Sequence, residues 1–351
     1  MTATNEVLRS GQLVDGTFKL QLEKYIALKL NVKYVHLCHS GTQALNVLAE
    51  AKRILSKNIE PNIILPDVSY IATYNAFLRA GYNITLADVD AYGMIKWSEV
   101  DRIREQNPNS KYDLCIVGLY GSKPLFNNVN DNKLDRKVRN SDVHQFEDGA
   151  QHWLGGMLHN SSAMTLSFDP SKNLHASGHG GAIVTDMLII SEQVKELLLQ
   201  GGDFTNGGIN SKLSEIDCSH ILVRAKYLTE WQNRRKQIAA YWIESFADTK
   251  IENLVESNIA RMNAYHSVNK FAISVPDRDK LKEYLSLHGI ETKIHYINNF
   301  SSSYKLKPQV KCDFLSNSYQ FVKHTLSLPI YPELTDIEVD YIRDTVKSFY
   351  K

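Results

Sequence analysis

Short apolar runs alternate with helical patterns through the first two-thirds of the chain. The apolar spacing over residues 191–200 predicts an amphipathic helix. Buried β-strands are predicted over residues 62–65, 84–89, 114–117 and 163–168. This alternation is typical of a mostly parallel sheet with helices on both faces. Ligands of such sheets bind beyond the carboxyl ends of the strands.

The pattern changes after about residue 246. Residues 214–246 are compatible with helix throughout and contain neither glycine nor proline. Beyond them the chain predicts a strand over 271–275, a helix over 279–287 and a closing helix over 335–350. We therefore predict a large domain over residues 1–246 and a smaller α+β C-terminal domain over residues 247–351.

The composition narrows the class of protein. With 43% hydrophobic and 23% charged residues, the 351-residue chain is of ordinary globular type. Its 40 basic and 39 acidic residues give a net charge of +1, which provides no electrostatic footprint for nucleic acid or an anionic membrane. The N-terminal residues lack a signal-peptide core and the four cysteines form no CxxC pair, so we expect a cytoplasmic protein with reduced thiols.

Two loops that follow strand patterns carry residues able to hold a charged ligand. In HSGTQAL, Gly41 and Thr42 begin a helix whose free N–H groups can bind an anion. A plain N-cap by Ser40 or Thr42 explains the same residues. In VHQFEDGAQH, Asp148 ends a strand pattern with Gln151 three residues on. Its carboxylate can pair with a cationic ligand group or lie in a solvated turn.

A third loop, LSFDPSKNLHASGHGG, contains Ser167 and Lys172 just beyond a buried strand. Partial desolvation there lowers the pKa of an amine and makes it a nucleophile toward a carbonyl, although a lone lysine is more often a surface charge. Tyr70 follows another strand. Phosphate donors, an aromatic face, a carboxylate and an amine, in this order, are what a pyridoxal phosphate site requires.

Ordered motifs extend the likeness over most of the chain. From about residue 13 to the C-terminus, the sequence resembles the DegT/DnrJ/EryC1/StrS family of pyridoxal-phosphate-dependent sugar aminotransferases. The motifs are SGTQAL, PDVSYIATYNAFLRAG with ADVD, LYG, EDGAQ, SFDPSKN with GHGGAIVTD, INSKLSEI and LSLPIYPELTDIEV. The resemblance implies an α/β protein of the aspartate-aminotransferase-like fold type I, with pyridoxal 5'-phosphate as cofactor.

The resemblance also implies roles for individual residues. Lys172 matches the lysine that binds the cofactor covalently, and Asp148 matches the acid that pairs with its pyridinium nitrogen. In a homodimer, Asn210 would reach the neighbour's cofactor, with Lys212 close by. The cofactor-binding positions implied are Gly41, Thr42, Gln43, Tyr70, Asp148, Gln151, Ser167, Lys172 and Asn210. The candidate sugar-contacting residues are His179, Lys212, His295 and Tyr296.

Some positions depart from the family pattern. Asp169 stands where an aromatic residue is usual, and His179 where an acid is common. Gly118 stands where a histidine often precedes the LYG turn, and no second histidine follows Tyr296 in HYINNFSSSY. These departures leave the cofactor set intact and bear on the choice of sugar.

The resulting prediction is a homodimeric aminotransferase with shared active sites. It would transfer an amino group from glutamate to a keto group of a nucleotide-linked deoxysugar. The alternatives are an acceptor such as a keto-cyclitol or another small ketone, and a non-catalytic regulator on the same fold. Lys172 argues against the regulator and against the family's dehydratases, which have lost this lysine.

A metal enzyme is a further alternative, because five histidines cluster in the sequence. They are His144, His152, His159, His175 and His179. None forms an HExxH motif, and we expect no metal. The chain also lacks a GxxxxGK loop and a dinucleotide fingerprint.

Overall fold

The structure is a computed structural model. It describes residues 2–57, 60–122, 145–158, 160–201, 207–255, 262, 266–303, 309–313 and 315–351.

A large sheet runs through the protein, with its described strands in the order β1-β7-β6-β5-β4-β2-β3-β10. The strand β7 is antiparallel to both of its neighbours, and the other adjacent pairs are parallel. The strands are β1 (Tyr34–Cys38), β2 (Asn62–Pro66), β3 (Asn83–Ala87), β4 (Tyr112–Val117), β5 (Gln145–Asp148), β6 (Ser161–Ser167), β7 (Gly181–Thr185) and β10 (Val310–Lys311). The predicted mostly parallel sheet is therefore present, and the carboxyl ends of β1, β6, β5, β4 and β2 share one edge.

Helices cover both faces of this sheet. Ala163 and Ile183 lie in the hydrophobic cluster with α3, α4 and α6, whereas the neighbouring residues Met164 and Ala182 lie in the cluster with α2 and α7. Side chains alternate across a strand, so these two clusters are the two faces. The helices of this part are α1 (Ala3–Ser10), α2 (Thr17–Leu30), α3 (Gly41–Ser56), α4 (Ile71–Arg79), α5 (Trp97–Gln106), α6 (Leu188–Leu198), α7 (Glu215–Ala225) and α8 (Leu228–Phe246).

A second sheet, in the order β11-β9-β8, is antiparallel and lies in the C-terminal part. Helices α8, α9 and α12 contribute Trp242, Leu281 and Val339 to its core. Its strands are β8 (Glu252–Asn253), β9 (Phe271–Ser274) and β11 (Thr325–Leu328). The remaining helices are α9 (Arg278–Leu287), α10 (Phe300–Ser303), α11 (Ser316–His324) and α12 (Asp336–Phe349).

Contacts cross the predicted boundary near residue 247 in both directions. The C-terminal half of α8 packs in the core of the small sheet, and β10 pairs with β3 of the large sheet. The buried Asp67, which follows β2, accepts hydrogen bonds from Asn299 and Ser318 at 2.6 Å each. The division into domains at this residue stays a prediction.

The helix-compatible stretch 214–246 forms two helices, because α7 ends and α8 begins around Lys226 and Tyr227. The break lets α7 bury Ile221 against the large sheet, while α8 carries Trp242 into the small core. The other predicted elements are present with ends shifted by up to three residues. Among the residues described, no helix combines the length and the apolar composition needed to cross a lipid bilayer.

Candidate active site

A cavity of about 460 Å³ lies at the carboxyl edge of the large sheet. The residues after β1, β2, β4, β5 and β6 converge there, as expected for a parallel sheet. Ten of the thirteen residues predicted from the sequence line this cavity. They are Gly41, Thr42, Tyr70, Asp148, Gln151, Ser167, Lys172, His179, His295 and Tyr296.

The start of α3 forms one wall and is suited to an anion. The Ser40 hydroxyl caps the helix by accepting from the Gln43 N–H at 3.2 Å. The N–H groups of Gly41 and Thr42, the first two residues, have no acceptor within the helix. A Cβ atom at Gly41 would lie 2.7 Å from the Cβ of Ser167, so only glycine lets the serine approach so closely. The N-cap and the anion site predicted as alternatives are thus compatible.

Asp148 ends β5 and its carboxylate is held by two donors. The Thr73 hydroxyl donates to its Oδ2 at 2.6 Å, and the Ala150 N–H donates to its Oδ1 at 3.2 Å. Thr73 is fully buried on α4 and shares a 2.8 Å hydrogen bond with Ser69. Asp148 is therefore a buried, oriented carboxylate rather than a solvated turn acid.

Lys172 is partly buried and faces the same cavity. Burial lowers the pKa of its ammonium below the ordinary value, although the carboxylates of Asp148 and Asp169 oppose the shift. No carboxylate lies within 4 Å of its ammonium among the residues described. This is the desolvated amine that the sequence predicted, and it differs from a surface lysine.

Gln151 and Tyr120 join the two parts of the protein at the cavity. The Gln151 Oε1 accepts from the Tyr120 N–H at 2.7 Å, and its Nε2 donates to the Tyr296 hydroxyl at 3.2 Å. The Tyr120 hydroxyl donates to the His295 carbonyl. Tyr120 adopts a φ of 59°, a strained conformation for a bulky residue. A cis peptide bond links His295 to Tyr296.

Two tyrosines and a histidine line the cavity together, and of these Tyr70 is the most exposed. Tyr70 is 55% exposed, and its ring centroid lies 6.0 Å from that of Tyr296. Burial and the charges of nearby lysines lower the pKa of His295 to about 4, so its imidazole is neutral at pH 7. Burial raises the pKa of Tyr296, so its phenol is neutral as well.

Two departures from the family pattern lie against each other. The Nδ1 of His179 is 3.6 Å from Oδ2 of Asp169, and both side chains are exposed to solvent in large part. A burial penalty on Asp169 is outweighed by hydrogen bonds from Ser171 and by nearby positive charges, so its pKa is lowered. The two residues that depart from the family pattern, His179 and Asp169, therefore contact each other.

The glycine at position 118, the third departure from the family pattern, is explained by the packing around it. A Cβ atom at this position would lie 2.0 Å from Nδ1 of His152. His152 is fully buried, and its Nε2 lies 2.8 Å from Oε2 of the buried Glu147. The imidazole of His152 thus occupies the volume that a side chain at 118 would need.

Three predicted residues lie outside this cavity. The Gln43 Oε1 accepts from Asn46 at 2.8 Å, so its role as a phosphate contact stays a prediction. Asn210 is exposed and forms an isolated bridge with Leu199. The Lys212 ammonium lies 2.5 Å from the Asp15 carboxylate. The roles of Asn210 and Lys212 at a neighbouring subunit's site stay predictions.

The histidines considered for a metal do not come together in the part of the chain that is described. There, no group of three histidine, cysteine, aspartate or glutamate side chains converges. His152 is used in its pair with Glu147, and His175 hydrogen-bonds the Ala176 carbonyl at 3.0 Å. His144 and His159 lie outside the described residues.

Sequence reasoning missed three residues of the site. They are Thr73, which holds Asp148, Tyr120, which holds Gln151, and Lys270, which lines the cavity from the C-terminal part. A signal existed for Lys270, since a charged residue directly precedes the apolar strand β9. No comparable signal marks Thr73, which lies within an ordinary helical pattern.

The described residues fit pyridoxal phosphate. The free N–H groups of α3 and the Ser167 hydroxyl are donors for its phosphate, in a space that a Cβ at Gly41 would fill. Asp148 supplies the carboxylate for the ring nitrogen and Lys172 the amine for the aldehyde. Tyr70 supplies an aromatic face.

Comparison with known proteins bears on this site. A sequence model described as the DegT/DnrJ/EryC1/StrS aminotransferase family matches residues 1–347. The pleiotropic regulatory protein of Geobacillus stearothermophilus is 24% identical, covering 100% of this chain and 94% of the relative. The 3-oxo-glucose-6-phosphate:glutamate aminotransferase of Bacillus subtilis is 26% identical, covering 98% and 78%. The dTDP-3-amino-3,6-dideoxy-alpha-D-galactopyranose transaminase of Aneurinibacillus thermoaerophilus is 28% identical, covering 99% and 94%.

Solved structures agree in fold. DesV of S. venezuelae matches with a TM-score of 0.85 at 25% identity, covering 99% of this chain and 93% of that chain. An aminotransferase from Brucella abortus has the same TM-score at 23% identity, covering 99% and 94%. These likenesses confirm the predicted aspartate-aminotransferase-like fold type I.

Proposed function

The chain belongs to the DegT/DnrJ/EryC1/StrS aminotransferase family, which confirms the predicted resemblance, and from this membership we propose its reaction. The protein is a pyridoxal-phosphate-dependent aminotransferase. It transfers an amino group from glutamate to a keto group of a nucleotide-linked deoxysugar. The observation that carries this proposal is the meeting of Lys172, Asp148 and the start of α3 in one cavity.

Each residue has a chemical task in this reaction. When bound, pyridoxal phosphate supplies the electron sink that stabilises negative charge at the substrate carbon. Lys172 would hold the cofactor through its aldehyde, and the amine of Lys172 would become free when the donor's amino group takes its place. The freed amine, whose pKa is lowered by burial, would then take the proton from the substrate carbon and deliver it to the carbon of the cofactor's aldehyde group.

Asp148 and its neighbours orient the cofactor. The carboxylate of Asp148 is positioned by Thr73 and Ala150 to hold the proton on the ring nitrogen through a charge-assisted hydrogen bond. The N–H groups of Gly41 and Thr42 bind the phosphate at the helix terminus. Gln151 is held by Tyr120 and Tyr296, and its carboxamide would face a cofactor bound in this cavity.

The names of the relatives support the two substrates. The Bacillus subtilis relative is named for glutamate and a 3-oxo sugar phosphate, and the Aneurinibacillus relative for a dTDP-linked amino sugar. A sugar that carries a phosphate or a nucleotide is common to both names. A keto-cyclitol or another small ketone is the alternative acceptor.

The proposal includes a cytoplasmic homodimer with shared sites. Asn210 and Lys212 are exposed and lie away from their own chain's cavity, which is consistent with contact to a neighbour's cofactor. A regulatory role is a second candidate, since the Geobacillus relative bears a regulator's name. The amine of Lys172, facing the cavity beside Asp148, favours catalysis, because a binder that does no chemistry has no need of it.

The experiment begins with the cofactor. Purified protein loaded with pyridoxal phosphate should be yellow, and borohydride reduction followed by peptide mapping should locate the label on Lys172. Lys270 lines the same cavity and is the internal comparison. Label on Lys270, or on neither lysine, would contradict the assignment.

The second step tests the substrates. Glutamate alone should bleach the yellow absorbance in a single half-reaction, and a panel of keto-sugar nucleotides should restore it with formation of an amino sugar detected by mass spectrometry. Restoration by a keto-cyclitol alone would move the protein to the alternative acceptor class. Absence of the glutamate half-reaction in correctly loaded protein would favour the regulator.

A further inference from the structure

Lys270 occupies an unusual position for a lysine that the cofactor does not need. Its side chain borders the active-site cavity, a second cavity of about 580 Å³ and a third of about 270 Å³. The second cavity also shares His295 with the active site. Lys270 therefore stands where the active site opens toward the C-terminal part of the protein.

The ammonium of Lys270 has no carboxylate partner within 4 Å in the described ranges. Its surroundings are positive instead. Burial lowers its pKa to about 8, and the charges of Lys172, Arg235 and Lys293 act in the same direction, with Asp169 opposing. Four cations thus line the three cavities that Lys270 borders, and of these Arg235 lies near Glu333 and donates to the Ile330 carbonyl.

The carboxylates that border the second cavity do not balance this charge. Glu338 is engaged in the N-cap of α12, where it accepts from the Thr335 N–H at 2.8 Å. Glu291 lies 3.7 Å from the Lys293 ammonium, and both side chains are largely exposed. Solvent-exposed ion pairs of this kind neutralise little of the lysine's charge, because water screens the interaction. An anionic ligand would complete the cluster.

The backbone around Lys270 is fixed in place. The N–H groups of Asn269 and Lys270 donate to the Tyr120 carbonyl at 2.9 and 3.1 Å. Tyr120 in turn holds Gln151, which lies at the cofactor site. Tyr120 therefore fixes the backbone of Lys270 as well as the side chain of Gln151.

This position is distinct from the phosphate site of the cofactor. Gly41, Thr42 and Ser167 border the first cavity only, whereas Lys270 borders all three. A phosphate on Lys270 would therefore belong to the substrate. A phosphate dianion matches several cations better than the single charge of a carboxylate does.

We propose that Lys270, with Lys293 and Arg235 nearby, forms a subsite for a phosphate group of the acceptor sugar. This inference rests on the proposed aminotransferase function and adds the residue that selects the acceptor. The phosphate is either a monoester on the sugar or the diphosphate that links a sugar to its nucleotide.

Binding to the loaded holoenzyme tests the subsite without turnover. The probes for calorimetric titration are glucose 6-phosphate against glucose, and dTDP against thymidine. We expect one phosphorylated probe to bind the wild type more tightly than its unphosphorylated partner. In Lys270→Gln the affinity for that probe should fall by about 10- to 100-fold, which corresponds to the loss of one charged hydrogen bond. Lys270→Arg should retain most of the affinity. Lys280→Gln removes the same charge from an exposed position on α9 and should change nothing.

The outcomes are separable. If Lys270→Gln binds glucose 6-phosphate more weakly, the phosphate recognised by the subsite is a monoester on the sugar. If Lys270→Gln binds dTDP more weakly, it is the diphosphate of a nucleotide. Unchanged affinity for both in Lys270→Gln overturns the subsite. A raised KM for glutamate with unchanged phosphate binding also overturns it, because the lysine would then hold the donor. Failure of the glutamate half-reaction in the wild type would instead count against the proposed function, independently of these affinities.

Discussion

The hydroxyl of Thr73 offers a sharp test of how Asp148 is positioned. Thr73→Val keeps the shape of this fully buried side chain and removes only its hydrogen-bonding group. Asp148 then loses its 2.6 Å donor and keeps the weaker contact from the Ala150 N–H at 3.2 Å. The buried Ser69 hydroxyl loses a partner as well.

The magnitude follows from the geometry. An oxygen–oxygen distance of 2.6 Å is that of a charge-assisted hydrogen bond, which contributes about 1.5–3 kcal/mol. We expect the free energy of unfolding to fall by about this amount. Because about 1.4 kcal/mol corresponds to a factor of ten, a loss of about 3- to 12-fold in kcat is expected if half of this energy is used to orient Asp148 against the ring.

The assay compares Thr73→Val with Thr73→Ser, which retains the hydroxyl. Urea unfolding, cofactor affinity and kcat with glutamate and the best acceptor would be measured for both variants. The serine variant should recover most of the lost turnover. Wild-type kcat in Thr73→Val, together with an unchanged unfolding midpoint, would show that this hydrogen bond does not position the carboxylate.

Three further predictions concern packing, assembly and charge. Gly118→Ala forces a Cβ into the ring of the buried histidine and should lower the free energy of unfolding by about 1–3 kcal/mol in urea titration, whereas Gly178→Ala, where the Cβ meets nothing within 4 Å, should not. Mixing Lys172→Ala chains with Asn210→Ala chains should restore activity through hybrid dimers with one intact site; no recovery despite demonstrated hybrids would refute shared sites. Burial and its cationic neighbours lower the pKa of Lys270 to about 8, so its charge is present at pH 7 and lost as the pH rises through 8. Affinity for the phosphorylated probe should therefore fall between pH 7 and 9 in the wild type and stay level in Lys270→Arg, and an equal fall in both would refute the assignment.

The large sheet could be predicted because its strands are buried on both faces. Residues 163–166 are buried without exception, so the strand reads as one apolar run. The convergence of most candidate site residues in one cavity could be predicted for a related reason. The residues that line it lie mostly at or beyond the ends of strands, and parallel strands bring their carboxyl ends to one edge.

Side-chain partners across the fold could not be predicted in this way. Thr73 and Asp148 are 75 residues apart, and Tyr120 and His295 are 175 apart. No local pattern marks such pairs, because propensity and periodicity describe neighbours along one element. The space taken by His152 beside Gly118 is likewise a property of the packed structure alone.

The origins of the site residues indicate how one architecture can accept different sugars. Asp148, Lys172 and the phosphate donors are anchored at the edge of the large sheet, where a change would disturb cofactor binding. Lys270, His295 and Tyr296 come from the C-terminal part and meet the first group through Tyr120 and Gln151. Substitutions on the C-terminal side can therefore alter the acceptor while leaving the chemistry in place. Relatives of 26% and 28% identity are named for a sugar phosphate and for a dTDP-linked sugar, so the proposed subsite makes the charge at Lys270 the first position at which to look for such a difference.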